Sequence, residues 1–209
     1  MRGLVITGGS GPPAAVLRRR SRNAARIVAA DSGLERALDA GVEPDLVVGD
    51  MDSLRDRGML ERFPPERVYS FERDKDDTDT EIALETLFAD GYDEVILVGG
   101  GGGRLDHLVG ILAIFDRARH PTMWLTDRDE VTAVDDRLER RGMRGRVVSF
   151  FPVGTEICRM TSTGLRWPLD GLEWRHGDVG ISNRVVEDVL RVEMRSGRLI
   201  MVQSLEDET

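Results

Sequence analysis

The sequence predicts an α/β protein, with a mostly parallel sheet covered by helices on both faces and a smaller, all-β sandwich after it. Two observations predict this. Through residue 126, short apolar runs alternate with segments of helical periodicity, the pattern of a parallel sheet buried on both sides. From about Asp127 the texture changes to strand-length pieces separated by glycine turns, which reads as a sandwich. The expected domains are therefore 1–126 and 127–209. With no repeat or low-complexity linker between them, the two are expected to pack together.

In the first part the expected strands are 4–6, 27–30, 46–48, 68–70, 95–98 and 123–125. The expected helices are 14–25, 34–40, 80–89 and 107–119, the last with an apolar face of Leu108, Ile111, Leu112 and Phe115. In the second part strands are expected at 146–151, 156–160, 179–182, 189–194 and 199–202. Ser196-Gly197 marks a hairpin between the last two.

Composition narrows the function. A net charge of −9 over 209 residues disfavours nucleic acid, which needs a basic surface to neutralise phosphates. A small polyphosphate such as ATP is still compatible, because a divalent cation can bridge carboxylate to phosphate. No apolar run is long enough to cross a membrane. Met1-Arg2-Gly3-Leu4 lacks the apolar core of a secretory leader, and the lone Cys158 cannot form an internal disulfide; a cytoplasmic protein is expected. Of 29 basic residues 28 are arginine, and the one lysine, Lys75, lies inside the acidic run 73–79. An ammonium and a guanidinium are not equivalent beside a phosphate, which makes Lys75 a candidate phosphate ligand.

The acids carry the strongest signal. Ligands of open α/β sheets bind beyond the carboxyl ends of the strands. Asp31, then Asp50 and Asp52, then Asp74 to Asp79, then Asp106 each follow an expected strand. In extended chain, residues two apart point the same way, so Gly49-Asp50-Met51-Asp52-Ser53 can offer two carboxylates to one face. A polar turn would have the same composition. Four acidic loops on one edge favour a metal, because repelling carboxylates need a shared cation and an all-oxygen site suits Mg²⁺.

Thr78-Asp79-Thr80-Glu81 has the form of a capping box, which gives Thr78 and Glu81 a structural reading, while Asp79 remains a ligand candidate. Gly99 to Gly103, ahead of Arg104 and His107, is expected to leave backbone amides open to a phosphate. Gly9-Ser10-Gly11-Pro12-Pro13-Ala14 satisfies the dinucleotide spacing, but two prolines remove the amides a pyrophosphate needs, so a plain strand-to-helix turn is expected. No G-x-x-x-x-G-K-[ST] loop is present.

The ordered set Ala30-Asp31-Ser32-Gly33, Pro44 to Ser53, Asp76 to Asp79 and Gly102 to His107 closely resembles the thiamine pyrophosphokinase family. Thr163 to Leu169 and Gly180 to Asn183 extend the resemblance over nearly the whole chain. It implies a nucleotide-binding α/β domain followed by a β-sandwich that binds the acceptor and dimerises, assembled as a homodimer with sites between subunits. The activity implied is transfer of pyrophosphate from ATP to thiamine, releasing AMP. By resemblance Asp31, Asp50, Asp52 and Asp79 would hold Mg²⁺, and Asp106 would position the substrates. Lys75, Thr78, Gly103, Arg104 and His107 would serve the nucleotide phosphates. Trp167 would stack on thiamine, with Ser182 and Asn183 contacting it from the partner subunit. Ser32, Met51 and Ile111 depart from common family residues without removing a metal ligand. Competing readings are a pyrophosphokinase for another hydroxymethyl heterocycle such as a pterin, a nucleotide-sensing module without turnover, and an NAD-dependent dehydrogenase.

Overall fold

The structure, a computed structural model, describes residues 1–71 and 76–205. The chain divides into two compact units. One comprises Met1–Ile111 with Trp124–Arg128, and the other Leu112–Met123 with residues 129–205.

The first unit runs β1 (Arg2–Ile6), α1 (Ala14–Ser21), β2 (Arg26–Ala30), α2 (Gly33–Asp39), β3 (Leu46–Gly49), two 3₁₀ turns (Arg57–Arg62 and Pro65–Arg67) and β4 (Val68–Ser70). It continues through α3 (Asp79–Ala89), β5 (Glu94–Val98) and most of α4 (Leu105–Ile114), and includes most of β6 (Met123–Leu125). Its strands lie in the order β6-β5-β1-β2-β3-β4. The pairs β5/β1, β1/β2, β2/β3 and β3/β4 are parallel, as the continuous apolar runs require. Leu4, Val5, Ile6, Val28, Val95, Leu97 and Val98 are fully buried. Gly3 lets α3 approach: a Cβ there would stand 2.7 Å from Leu87 Cδ1. Gly33 does the same for α2, since a side chain would collide with the Ile6 carbonyl.

Two helices stop earlier than their apolar periodicity suggests. α1 ends at Ser21, where the Asn23 and Ala24 amides donate three residues back to Arg20 and Ser21. After Ile114 the amides of Phe115, Asp116 and Arg117 likewise reach three residues back, tightening the chain out of the α-helix. Phe115 is fully buried, so the apolar face continues although the helix does not.

The second unit contains β7 (Asp129–Val134), β8 (Arg137–Arg140), β9 (Val147–Val153), β10 (Cys158–Thr163), β11 (Glu173–Trp174), β12 (Gly180–Arg184), β13 (Leu190–Ser196) and β14 (Arg198–Ser204). They form two antiparallel arrays, β12-β9-β14-β7 and β11-β10-β13-β8. Side chains from both close one core, among them Val134, Phe150, Met160, Leu190, Leu199 and Met201. β7, β8 and β11 were not expected from the sequence. β8 reads Arg-Leu-Glu-Arg, with one apolar residue among three charges. It pairs because Leu138 alone points into that core while Glu139 meets Arg137, Arg141 and Arg191 outside it. Among the described residues, no helix is long and apolar enough to cross a membrane.

Candidate active site

Asp31 and Asp50 meet because β2 and β3 are neighbouring parallel strands that end together. Ala30 pairs with Val48, and the Asp31 amide donates to the Val48 carbonyl at 2.8 Å. Asp31 has φ 49°, a left-handed conformation that aspartate tolerates better than most residues. Gly49 has φ 145°, and a Cβ on it would sit 3.2 Å from the Asp31 Cβ. Glycine at 49 is what allows the two acids to converge.

The expected alternation of Asp50 and Asp52 does not hold. Met51 has φ 60°, which breaks the extended chain into a tight turn, and the Asp52 amide donates back to Asp50 Oδ1 at 3.0 Å. A left-handed residue costs about 1–2 kcal/mol. Burying a methionine side chain returns about 1.5–3 kcal/mol, and Met51 is buried among Ala29, Leu34, Val47, Leu54 and Phe63, which keeps the turn.

Asp79 arrives from α3. Thr78 accepts from the Glu81 amide at 3.3 Å and Glu81 Oε2 accepts from the Thr78 amide at 2.9 Å, completing the capping box. Thr7 and Thr80 share a hydrogen bond of 2.7 Å that ties this helix start to the end of β1. One carboxylate oxygen from each of Asp31, Asp50 and Asp79 can be chosen so that all lie within 4.8 Å of one another. Asp52 is exposed and outside this group. Burial raises the Asp31 carboxyl above its usual range. The Ser53 hydroxyl, which donates to Oδ2, opposes this, and the charges of Asp79, Asp50 and Asp52 add to it. Asp31 Oδ1 is buried without a hydrogen-bond partner. An orphaned carboxylate oxygen facing two more acids fits a hard divalent cation.

The glycine loop corrects an expectation. Its first three amides are already engaged: Gly99 donates to Leu125 O, Gly100 to Gly8 O at 2.6 Å and Gly101 to Ser10 O at 2.8 Å. The loop therefore braces the β1–α1 turn. Gly102 and Gly103, with φ 65° and 69°, lead to Arg104, whose guanidinium forks onto Asp106 at 3.1 and 2.5 Å. That pairing holds the Asp106 carboxyl below its usual range and, with the His107 amide, fixes it at the start of α4. Arg104, Asp106 and His107 are all exposed. Lys75, the expected phosphate ligand, lies outside the described residues.

In the second unit Trp167 is 56% exposed, with the Arg166 guanidinium 5.1 Å from its ring centroid. Asn183 is buried. Its Nδ2 donates to Trp167 O at 2.7 Å, and its Oδ1 accepts from the amides of Trp167 and Arg184 at 3.3 and 2.8 Å. Ser182 is exposed at φ 61° beside a register irregularity, its amide donating to Ser149 Oγ.

Comparison with known families adds two matches. The family described as "Thiamin pyrophosphokinase, catalytic domain" covers residues 17–125, and "Thiamin pyrophosphokinase, vitamin B1 binding domain" covers 136–199. The chain belongs to the thiamine pyrophosphokinase family. A thiamine pyrophosphokinase of Bacillus subtilis (strain 168) is 26% identical over 193 residues, covering 85% of this chain and 86% of that protein. A solved structure of thiamine pyrophosphokinase from Bacillus subtilis superposes with a TM-score of 0.81 at 23% identity, covering 99% of this chain and 100% of the other. One from Geobacillus thermodenitrificans gives 0.78 at 28% identity, covering 100% and 99%. Asp31, Asp50, Asp79, Arg104 and Asp106 fall in the catalytic match; Trp167, Ser182 and Asn183 fall in the vitamin-binding match.

Sequence reasoning missed Ser53 and Thr7 as supports of the acid cluster. Ser53 closes the very motif that holds Asp50 and Asp52, and a hydroxyl one and three residues after the paired acids was the available signal. Thr7 carries no local signal, since its partner Thr80 is 73 residues away.

Proposed function

We propose that this protein transfers the β,γ-diphosphate of ATP to the hydroxyl of thiamine, giving thiamine diphosphate and AMP. The observation that carries the reading is the convergence of Asp31, Asp50 and Asp79, with the orphaned Asp31 oxygen, inside the family's catalytic domain. The hydroxyl oxygen forms a bond to the β-phosphorus, the bond from that phosphorus to the α–β bridging oxygen breaks, and AMP departs with the electron pair. Mg²⁺ bound by the three carboxylates would neutralise charge on the transferring group and the leaving phosphate.

The chain's own residues supply positioning. Asp52, outside the triad, adds charge at its edge and can reach a metal through water. The hydroxyl proton passes to a carboxylate near the acceptor, Asp79 or Asp106. Arg104, free to exchange Asp106 for a phosphate, offers a bidentate fork, with Gly103, Thr78, His107 and Lys75 alongside the polyphosphate. Trp167 presents an exposed indole face that attracts the thiazolium cation, worth about 0.5–2 kcal/mol. The first unit is the nucleotide-binding one and the second the acceptor-binding and dimerising one, in a cytoplasmic homodimer whose partner subunit adds Ser182.

The test is an acceptor panel with ATP and Mg²⁺. Thiamine yields AMP and thiamine diphosphate in equal amounts, whereas a hydroxymethylpterin yields neither AMP nor its own diphosphate. Formation of ADP, or AMP release that does not depend on thiamine, rejects the reading.

A further inference from the structure

Glu35 is a buried acid that does not belong to the converging triad. It lies in the first turn of α2, four residues beyond Asp31, and is 6% exposed. Buried carboxylates are rare unless paired. This one is paired with a residue of the loop after β3: Oε1 accepts from the Arg55 amide at 2.6 Å and Oε2 from Arg55 Nε at 2.5 Å.

The two bonds differ in weight. The Arg55 side chain is 78% exposed, so water screens its ion pair. The amide belongs to the backbone. It is the largest influence holding the Glu35 carboxyl below its ordinary range; burial opposes it and the guanidinium adds to it. Glu35 therefore grips the main chain at Arg55.

What it grips is the loop that carries Asp50. Ser53, two residues before Arg55, donates its hydroxyl to Asp31 Oδ2, while Asp31 Oδ1 stays buried without a partner. Leu54, between the two anchored residues, buries in the apolar cluster that also holds Met51 and Leu34, the neighbour of Glu35. Residues 31–35 and 50–55, both within the first unit, are thus laced together by polar bonds at Ser53 and Arg55 with an apolar cluster between them. Asp31 and Asp50 ride on these two segments. Carboxylates at one site repel each other, and a loop already held in place spares the cation the cost of ordering it.

We infer that Glu35 is a positioning residue for the metal site: through the Arg55 amide it holds the Asp50–Ser53 loop against Asp31, so that the carboxylates are gathered before the cation binds. The inference rests on the metal reading proposed above. A glutamate in the first turn also favours the helix dipole, and any carboxylate attracts cations by charge alone. The test must separate position from both.

Titration of the full chain with Mn²⁺ alone, in two opposed variants, does so. Glu35→Asp keeps the charge and the place in the first turn but falls one methylene short of the Arg55 amide. Glu35→Gln loses the charge and keeps an oxygen at full reach. Mn²⁺ affinity is expected to fall at least fivefold in Glu35→Asp and to stay within twofold of the parent in Glu35→Gln. With Mg²⁺, the KM for ATP rises in Glu35→Asp while the KM for thiamine does not. Parent-like Mn²⁺ affinity in Glu35→Asp, whatever its melting temperature, overturns the inference by making Glu35 a support of the fold alone. A loss in Glu35→Gln as large as in Glu35→Asp overturns it in favour of charge. Should Glu35→Asp not fold, amide exchange in the parent decides: the Arg55 amide is expected to be as protected in chelator as in Mg²⁺, and protection that needs Mg²⁺ overturns the inference. A parent that binds no Mn²⁺ removes the metal reading and this inference with it, whereas binding that is equal in the parent and Glu35→Asp removes only the role of Glu35.

Discussion

Asn183 holds Trp167 by the backbone: its buried amide donates to the Trp167 carbonyl at 2.7 Å and accepts from the Trp167 amide at 3.3 Å, leaving the indole in solvent. The two residues therefore answer differently to mutation. Asn183→Ala leaves three backbone groups, two on Trp167 and the Arg184 amide, without this side-chain partner and is expected to lower stability by about 1–3 kcal/mol as well as raise the thiamine KM. Trp167→Ala is expected to raise the thiamine KM with the melting temperature unchanged. Thermal denaturation and steady-state kinetics of both variants check this; equal melting temperatures would show that the Asn183 clamp carries no structural weight.

The three acids repel one another without a cation. Asp31→Asn keeps a residue type suited to φ 49° and removes one charge. In chelator its melting temperature should exceed that of the parent. In Mg²⁺ the parent should gain stability and the variant little. A variant less stable than the parent in chelator would mean that repulsion at this site is negligible.

Thr78 caps α3 one residue before Asp79. Thr78→Ala is expected to cost about 1 kcal/mol and, by loosening the helix start, to lower kcat. Thr78→Ser should restore both. If serine restores stability but not kcat, the threonine acts on the substrate rather than through the cap.

Hydrogen bonding to His120 Nε2 at 3.1 Å, followed by the charges of His120 and Arg198, holds the Asp135 carboxyl below its ordinary value of 3.8. A depressed folded-state value contributes stability that is fully present above the unfolded value and disappears as pH falls through the folded one. Asp135→Asn should accordingly be less stable than the parent at neutral pH and match it in strong acid. Denaturant titrations at pH 7 and below pH 3 check the convergence, and a gap independent of pH would assign the effect to packing.

What was legible in the sequence was whatever depends on local pattern. The apolar runs placed β1 to β6, and Thr78 to Glu81 declared its own capping box. Positions of the acids after strand ends followed from the parallel sheet. The alternation argument for Asp50 and Asp52 failed because it assumed extended backbone, whereas burial of Met51 among Ala29, Leu34, Val47, Leu54 and Phe63 bends the chain there. The amides of Gly99 to Gly101 looked open because their acceptors, Leu125, Gly8 and Ser10, are remote in sequence. β8 was hidden by charges that pair across strands.

The account depends on Asp31, Asp50 and Asp79 sharing a divalent cation. Titration with Mn²⁺, followed by the loss of its free-ion electron paramagnetic resonance signal, measures this directly. The account predicts binding by the parent protein that weakens at least tenfold in Asp50→Asn, with the circular dichroism spectrum unchanged. Equal Mn²⁺ affinity in the two proteins would contradict it.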